Sequence, residues 1–293
     1  MNERTQLERE FRDLAVVHEH SRSGEREVLH SPDQRLQVGN TDAVPFRYVC
    51  HLELSARDTS DAKVTAHSIA TGILIGPRHV LTTGHTLLAQ NGRFQATHAW
   101  VSPGRNGRAT PFGRVEATRF RTHANWVRNG VQDDNFDYGL ITLDDAIGVR
   151  RFASLRNASL GCWGDAANGG GTRLTRLDPT ILDGQTINVA GYPDDQAAGT
   201  LWRSSGQLTM MRDPQGRITT MDRRMAHNAD THSSQSGSPV WLHDPKTGLR
   251  HLVGVHEATI NVTTQTKSGP RQQRLNVAVR VTREMLRQLA DWM

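Results

Sequence analysis

The sequence predicts an all-β fold, two β units followed by one terminal α-helix. Three observations carry this. Short apolar runs recur along the chain, turn-rich segments separate them, and the last dozen residues switch to helical spacing. The 293 residues suffice for two fused six-stranded barrels, and 36% hydrophobic with 22% charged residues is the balance of a chain that buries a core.

Near the N-terminus, Leu7, Phe11 and Leu14 recur at helical spacing, and Thr5 with Glu8 forms a capping box, so a short helix is expected over 5–18. Residues 19–43 are polar and without period, which reads as a connection. From Phe46 onward Phe46, Tyr48, Cys50, Leu52 and Leu54 alternate with other residues, the period of a half-buried strand. Further apolar runs lie at 73–76, 139–143, 186–192, 251–255 and 276–281, while residues 157–179 read as a surface excursion. Thr282 then caps a closing helix with Met285, Leu286 and Leu289 on one face. The expected division is an N-terminal extension over 1–27, β units over 28–150 and 151–281, and the helix over 282–293.

Composition removes several function classes. No run approaches the roughly 18 apolar residues of a membrane span, and the first residues lack a signal-peptide core, so the expected location is cytoplasmic, with signal-independent export as the alternative. The net charge of +5 is spread along the chain without a nucleic-acid motif, and 5% aromatic residues leave few stacking platforms, so no nucleic-acid partner is expected. Cys50 and Cys162 allow at most one disulfide and read as free, buried thiols. Metal catalysis is not expected either, because HEATI (256–260) has Ile260 where a second histidine ligand belongs. Neither metal nor cofactor is implied; the expected partner is a protein or peptide substrate, with no membrane partner, and the chain is expected to be a monomer.

Three segments carry chemistry. His85 ends an apolar strand in VLTTGHTL, Asp137 precedes one in NFDYGLITL, and Ser236 sits among small residues in QSGSPVW, where a sharp turn exposes the hydroxyl. Each alone also suits an ordinary turn or core residue. Acyl transfer by serine needs a hydroxyl, an imidazole to take its proton, and a carboxylate to orient that imidazole. The order His, Asp about 50 residues on, and Ser about 100 further on is the one used by chymotrypsin-like enzymes.

These segments resemble those of the bacterial glutamyl endopeptidases, a branch of the chymotrypsin-like serine proteases, and so do residues 101–113, 189–195, 198–208 and the terminal VTREMLRQLADW. The resemblance runs from about residue 28 to the end. It implies two six-stranded antiparallel β-barrels with the active site between them, a triad of His85, Asp137 and Ser236, and an oxyanion hole from the N–H groups of Ser234 and Ser236. It assigns Thr231 and His256 to holding an acidic substrate side chain. Cleavage after Glu, and less readily Asp, follows. Asp230 opens the rival reading, trypsin-like cleavage after Arg or Lys, and a Glu257 carboxylate aimed into the pocket would repel an acidic side chain.

Two departures complicate the resemblance. Ser233 and Ser234 stand where relatives carry glycine, and a side chain in a left-handed backbone costs on the order of 1 kcal/mol or more; a weakly active homologue that mainly binds is the alternative. Thr86 replaces the family's cysteine beside the histidine, so its disulfide is not expected. Alignment places the relatives' mature N-terminus at Val28. Cleavage after Glu27 would then remove a propeptide, against the alternative of a permanently attached helical extension.

Overall fold

The alternation that begins at Phe46 becomes a strand three residues later than the sequence suggests. Pro45 starts a 3-10 turn over Phe46–Tyr48, closed by the Arg47 N–H on Ala43 O and the Tyr48 N–H on Pro45 O. Strand β1 (Val49–Asp58) follows, with Cys50, Leu52 and Leu54 buried. The computed structural model describes residues 17–19, 28–29, 31–167, 170–210, 218, 223–266 and 269–293.

Six strands close the first barrel: β1, β2 (Thr65–Gly76), β3 (His79–Thr82), β4 (Phe94–Pro103), β5 (Val115–Thr122) and β6 (Gly139–Leu143). Their order is β1-β2-β3-β6-β5-β4, and β1 pairs back onto β4 from Cys50↔Pro103 to Asp58↔Phe94. Between β3 and β4, helix α1 (Gly84–Leu87) makes a single turn. The second barrel holds β7 (Thr186–Gly191), β8 (Trp202–Met210), β9 (Arg224–His227), β10 (Pro239–His243), β11 (Arg250–Thr266) and β12 (Gly269–Arg280), preceded by the short helix α2 (Pro179–Leu182). Its order is β7-β8-β9-β12-β11-β10, closed by β10 on β7. Adding six to each strand number of the first barrel reproduces the second, so both are antiparallel barrels of one topology without a free edge.

A shared core joins the barrels, built on Leu52, Ile73, Leu81, Leu140, Leu201, Trp241 and Leu252. Helix α3 (Arg283–Trp292) adds Met285 and Leu289 to it, and Thr282 Oγ1 accepts from the Met285 N–H, as the sequence predicts. Both cysteines are free and buried, and burial pushes the Cys162 thiol up to about 11.

Two expectations are corrected. The 157–179 segment is no surface excursion: Leu160, Cys162 and Trp163 are buried, and Thr172–Leu174 pairs in parallel with β11. Trp163 explains this, since its ring packs edge-on against Tyr48 and Trp241 while its indole N–H donates to Arg173 O. Of the helix expected over 5–18, residues 5–16 lie outside the described residues; Val17–Glu19 instead pairs as a strand with Asn261–Thr263, satisfying backbone groups along that side of β11. Among the described residues no helix is long and apolar enough to cross a membrane.

Candidate active site

The first barrel supplies His85 and Asp137. Thr83 is extended and α1 turns immediately after it, which aims His85 back over the barrel end. Asp137 leaves a 3-10 turn (Asp134–Phe136) capped by the Asp133 carboxylate on the Asn135 N–H. Its two oxygens grip His85 twice, Oδ1 on the backbone N–H at 2.7 Å and Oδ2 on Nδ1 at 2.6 Å. A carboxylate only accepts, so the proton sits on Nδ1 and Nε2 is left as the basic nitrogen. The Asp137 side chain is 2% exposed and the His85 ring 34%, so the carboxylate is closed to solvent while the imidazole is open to it. Gly84 makes the approach possible, because a Cβ there would stand 3.0 Å from both Asp137 Oδ1 and the Trp126 ring.

Ser236 comes from the loop between β9 and β10 and is tied across to the first barrel. The Thr71 N–H donates to Ser236 O at 3.0 Å, and Thr82 Oγ1 donates to Thr71 O. Gly237 next to it has φ +91°, and a Cβ there would fall 1.9 Å from Thr71 O, so only glycine fits. The Ser236 hydroxyl donates to the Glu257 carbonyl at 3.0 Å.

Ser234 has the left-handed backbone, φ +71°, that its glycine-bearing relatives reach at lower cost. Contacts on both sides hold it there: the Asp194 N–H donates to Ser233 O, and Thr71 Oγ1 donates to Ser234 O. Among the described residues neither the Ser234 nor the Ser236 N–H has an acceptor.

Beside this loop lie the residues expected to read a substrate side chain. Asp230 is buried, and its Oδ2 accepts the Gln34 N–H at 2.7 Å while its carbonyl accepts from Ser204 Oγ. Thr231 is fully buried, and among the described residues its Oγ1 has no partner. His256, also fully buried, has Nδ1 3.3 Å from His227 Nε2, and burial holds the His227 ring well below the usual histidine pKa. Val28 reaches the same place: its N–H donates to Asn276 Oδ1 at 3.1 Å, and its carbonyl accepts from the Thr231 N–H. Glu27 lies outside the described residues.

Glu257 does not point at the substrate side. A bulge between His256 and Ala258 breaks the alternation of β11, and the Glu257 carboxyl packs 3.6 Å from Arg224 Nη1, which also lies 3.3 Å from Asp134. Burial pushes its pKa well up; Arg224 opposes this, and Asp137 and Asp134 add to it. Sequence reasoning missed Arg224, His227 and Asn276, because their roles arise from strand pairing that no local pattern announces.

One described group has metal-ligand types close together, Asp194, Asp195 and His232. Arg35 already sets a cation there, bonding Asp195 through both terminal nitrogens at 2.9 and 2.6 Å. The group is an ion-pair knot.

The family described as a trypsin-like peptidase domain matches residues 70–255. A glutamyl endopeptidase of Bacillus licheniformis is 33% identical over 210 residues, 71% of this chain and 53% of its own. An extracellular metalloprotease of Bacillus subtilis is 26% identical over 265 residues, 89% of this chain and 68% of its own. The chain thus spans about half the length of the first of these relatives and two thirds of the second. A solved Glu endopeptidase superposes with a TM-score of 0.63 at 23% identity, covering 90% of this chain and 98% of that one. The chain belongs to the trypsin-like peptidase family, in its bacterial glutamyl endopeptidase branch.

Proposed function

We propose that the chain is a serine endopeptidase that cleaves proteins or peptides after glutamate, and less readily after aspartate. The observation that carries the reading is the double grip of Asp137 on His85, which fixes the tautomer a general base requires. For catalysis the Ser236 hydroxyl leaves the Glu257 carbonyl, which holds it at 3.0 Å, and turns toward His85 Nε2. Nε2 then accepts the proton as Oγ attacks the substrate carbonyl, and returns it to the leaving amine. Water repeats the sequence on the acyl-enzyme. The unengaged N–H groups of Ser234 and Ser236 suit the developing oxyanion.

Acidic specificity rests on what is left for a substrate side chain to meet. Asp230, the one feature favouring Arg or Lys, already accepts the Gln34 N–H. Thr231 Oγ1 has a hydroxyl to donate, and the His256 ring carries its proton on Nε2 when its Nδ1 accepts from the neutral His227. Cleavage after Glu27 would bring an α-ammonium group to Val28, against Thr231 and Asn276, which adds a positive charge where an acidic side chain binds. The Val17–Glu19 pairing favours a second reading, in which residues 1–27 stay attached. Intact mass separates the two: active protein that still begins at Met1 would exclude activation by cleavage. Matched peptides with Glu, Asp, Arg or Lys before the scissile bond test specificity, and turnover confined to Arg and Lys would overturn it.

A further inference from the structure

Arg35 is a buried charge that a triad and an acid-binding wall leave unexplained. Its side chain is 1% exposed and every nitrogen of the guanidinium donates: Nε to Asp33 at 3.1 Å, Nη2 to Asp33 at 2.8 Å and to Asp195 at 2.6 Å, and Nη1 to Asp195 at 2.9 Å. Taking a charge out of water is costly even when it is paired, so a fold that retains one needs a reason. Docking of the N-terminal segment is not that reason. The segment is already stitched to the second barrel by the Gln34 N–H on Asp230 Oδ2, by Leu36–Gln37 pairing with Trp202 and Arg203 of β8, and by the Val38 N–H on Leu201 O. What Arg35 adds is a hold on Asp195, in the turn that follows β7.

From that turn the contacts lead straight to the nucleophile loop. Asp194 bonds the loop twice, its N–H donating to Ser233 O at 3.1 Å and its Oδ1 accepting from His232 Nδ1 at 2.8 Å. Asp195 Oδ1 stands 3.6 Å from the same imidazole nitrogen. Two adjacent carboxylates repel each other, and the buried cation behind them lets both face the loop. The loop itself is a closed turn, since the His232 N–H donates to Gln235 Oε1 and the Gln235 N–H to His232 O. Ser234 lies inside this turn at φ +71°, a backbone that serine adopts only at a cost. Such strain persists where the surroundings over-determine it, and the Asp194 contacts are one side of that constraint.

We propose that Arg35 is a positioning residue for the oxyanion hole: it fixes Asp195, sets Asp194 against His232 and Ser233, and so holds Ser234 in the left-handed backbone that presents its N–H. This rests on the reading of Ser236 as the nucleophile and of the Ser234 N–H as an oxyanion donor. A peptide N–H turns with the dihedrals on either side of its plane, so relaxation of Ser233 and Ser234 toward ordinary backbone would swing the donor away. The segment that follows Val28 thus acts on the catalytic loop through an internal ion pair, whether or not residues 1–27 stay attached.

The test compares full-length wild type with Arg35→Met, Asp195→Asn, Ser234→Gly and each of the first two combined with Ser234→Gly. It measures kcat and KM on a glutamyl peptide, and the inhibition constant of a glutamyl peptide aldehyde, whose hemiacetal oxygen takes the oxyanion's place. Fluorophosphonate titration of Ser236, run to completion, counts competent sites. Per competent site, Arg35→Met and Asp195→Asn are expected to lower kcat about tenfold and to weaken the aldehyde by a similar factor, with KM little changed. Glycine reaches the left-handed backbone without the clamp, so Ser234→Gly is expected to recover about fivefold of that loss, more than any change it makes in the wild-type background. A purely structural role would reduce the number of competent sites and leave their kcat and aldehyde affinity at wild-type values, and that outcome would overturn the proposal. Ser234→Gly acting by the same factor in both backgrounds would overturn it as well. Should Arg35→Met not fold, Asp195→Asn decides. Absence of Ser236-dependent cleavage in wild type would defeat the peptidase reading itself, a result distinct from any of these.

Discussion

The two barrels share one strand order and hold their polar groups in opposite ways. In the first, the functional groups are committed: Asp137 is bound twice by His85, and Thr82 and Thr71 are hydrogen-bonded into the frame beneath Ser236. In the second, the groups facing the same region are left over. Among the described residues the Ser234 and Ser236 N–H groups lack acceptors and Thr231 Oγ1 has no partner, and Ser234 stays in a left-handed backbone despite its side chain. The first barrel is built to hold a base still. In the proposed mechanism the second supplies the donors, and donors without partners cost stability that a bound substrate would return.

Substitutions can break that contrast, and the largest effects belong to the chemistry. Ser236→Ala is expected to lower kcat by about a millionfold, with peptide cleavage as the assay. Asp137→Asn leaves the shape but reverses the tautomer of His85, and is expected to cost about ten thousandfold in kcat. Thr231→Val fills the space without the hydroxyl. Its kcat/KM for glutamyl peptides is expected to fall about 10- to 100-fold, with a smaller change for the matched glutamine peptide.

Smaller effects sharpen the contrast through stability. Ser234→Gly removes the cost of a left-handed serine, and chemical denaturation is expected to show a gain of about 1 kcal/mol without loss of activity. Burial and the Arg105 charge lower the His51 pKa to about 4, and burial with the neighbouring His256 holds that of His227 well below the usual histidine value. Both stay neutral in the folded protein while the unfolded chain binds protons below about 6.5. The unfolded state therefore gains protons first, and stability falls as pH drops from about 6.5 toward 4, by up to about 1.4 kcal/mol per unit for each histidine. Measured unfolding free energies should show that slope, and His51→Gln should reduce it.

The sequence made one layer of this arrangement legible. VLTTGHTL, NFDYGLITL and QSGSPVW each join a strand to a turn, and such local patterns survive reading one residue at a time; five of the apolar runs fall on strands β2, β6, β7, β11 and β12, those on β7 and β12 overrunning the strand by one residue. Strand β5 escaped notice because, among Val115–Thr122, only Val115 and Ala117 are buried and the other positions are Glu, Arg and Thr apart from a half-buried Phe120. The surroundings of Asp230 and Glu257 escaped the sequence for a different reason. The partner that engages Asp230 is a backbone N–H nearly 200 residues away, and a bulge reverses the face on which Glu257 lies. Long-range hydrogen bonds and register shifts leave no periodic trace.

The most direct measurement is a peptide-library cleavage profile of the wild-type protein beside Ser236→Ala, each with and without a metal chelator. Cleavage concentrated after Glu, weaker after Asp, unaffected by chelation and absent from the variant is the predicted result. Cleavage after Arg or Lys, or any cleavage that survives loss of the Ser236 hydroxyl, would contradict it.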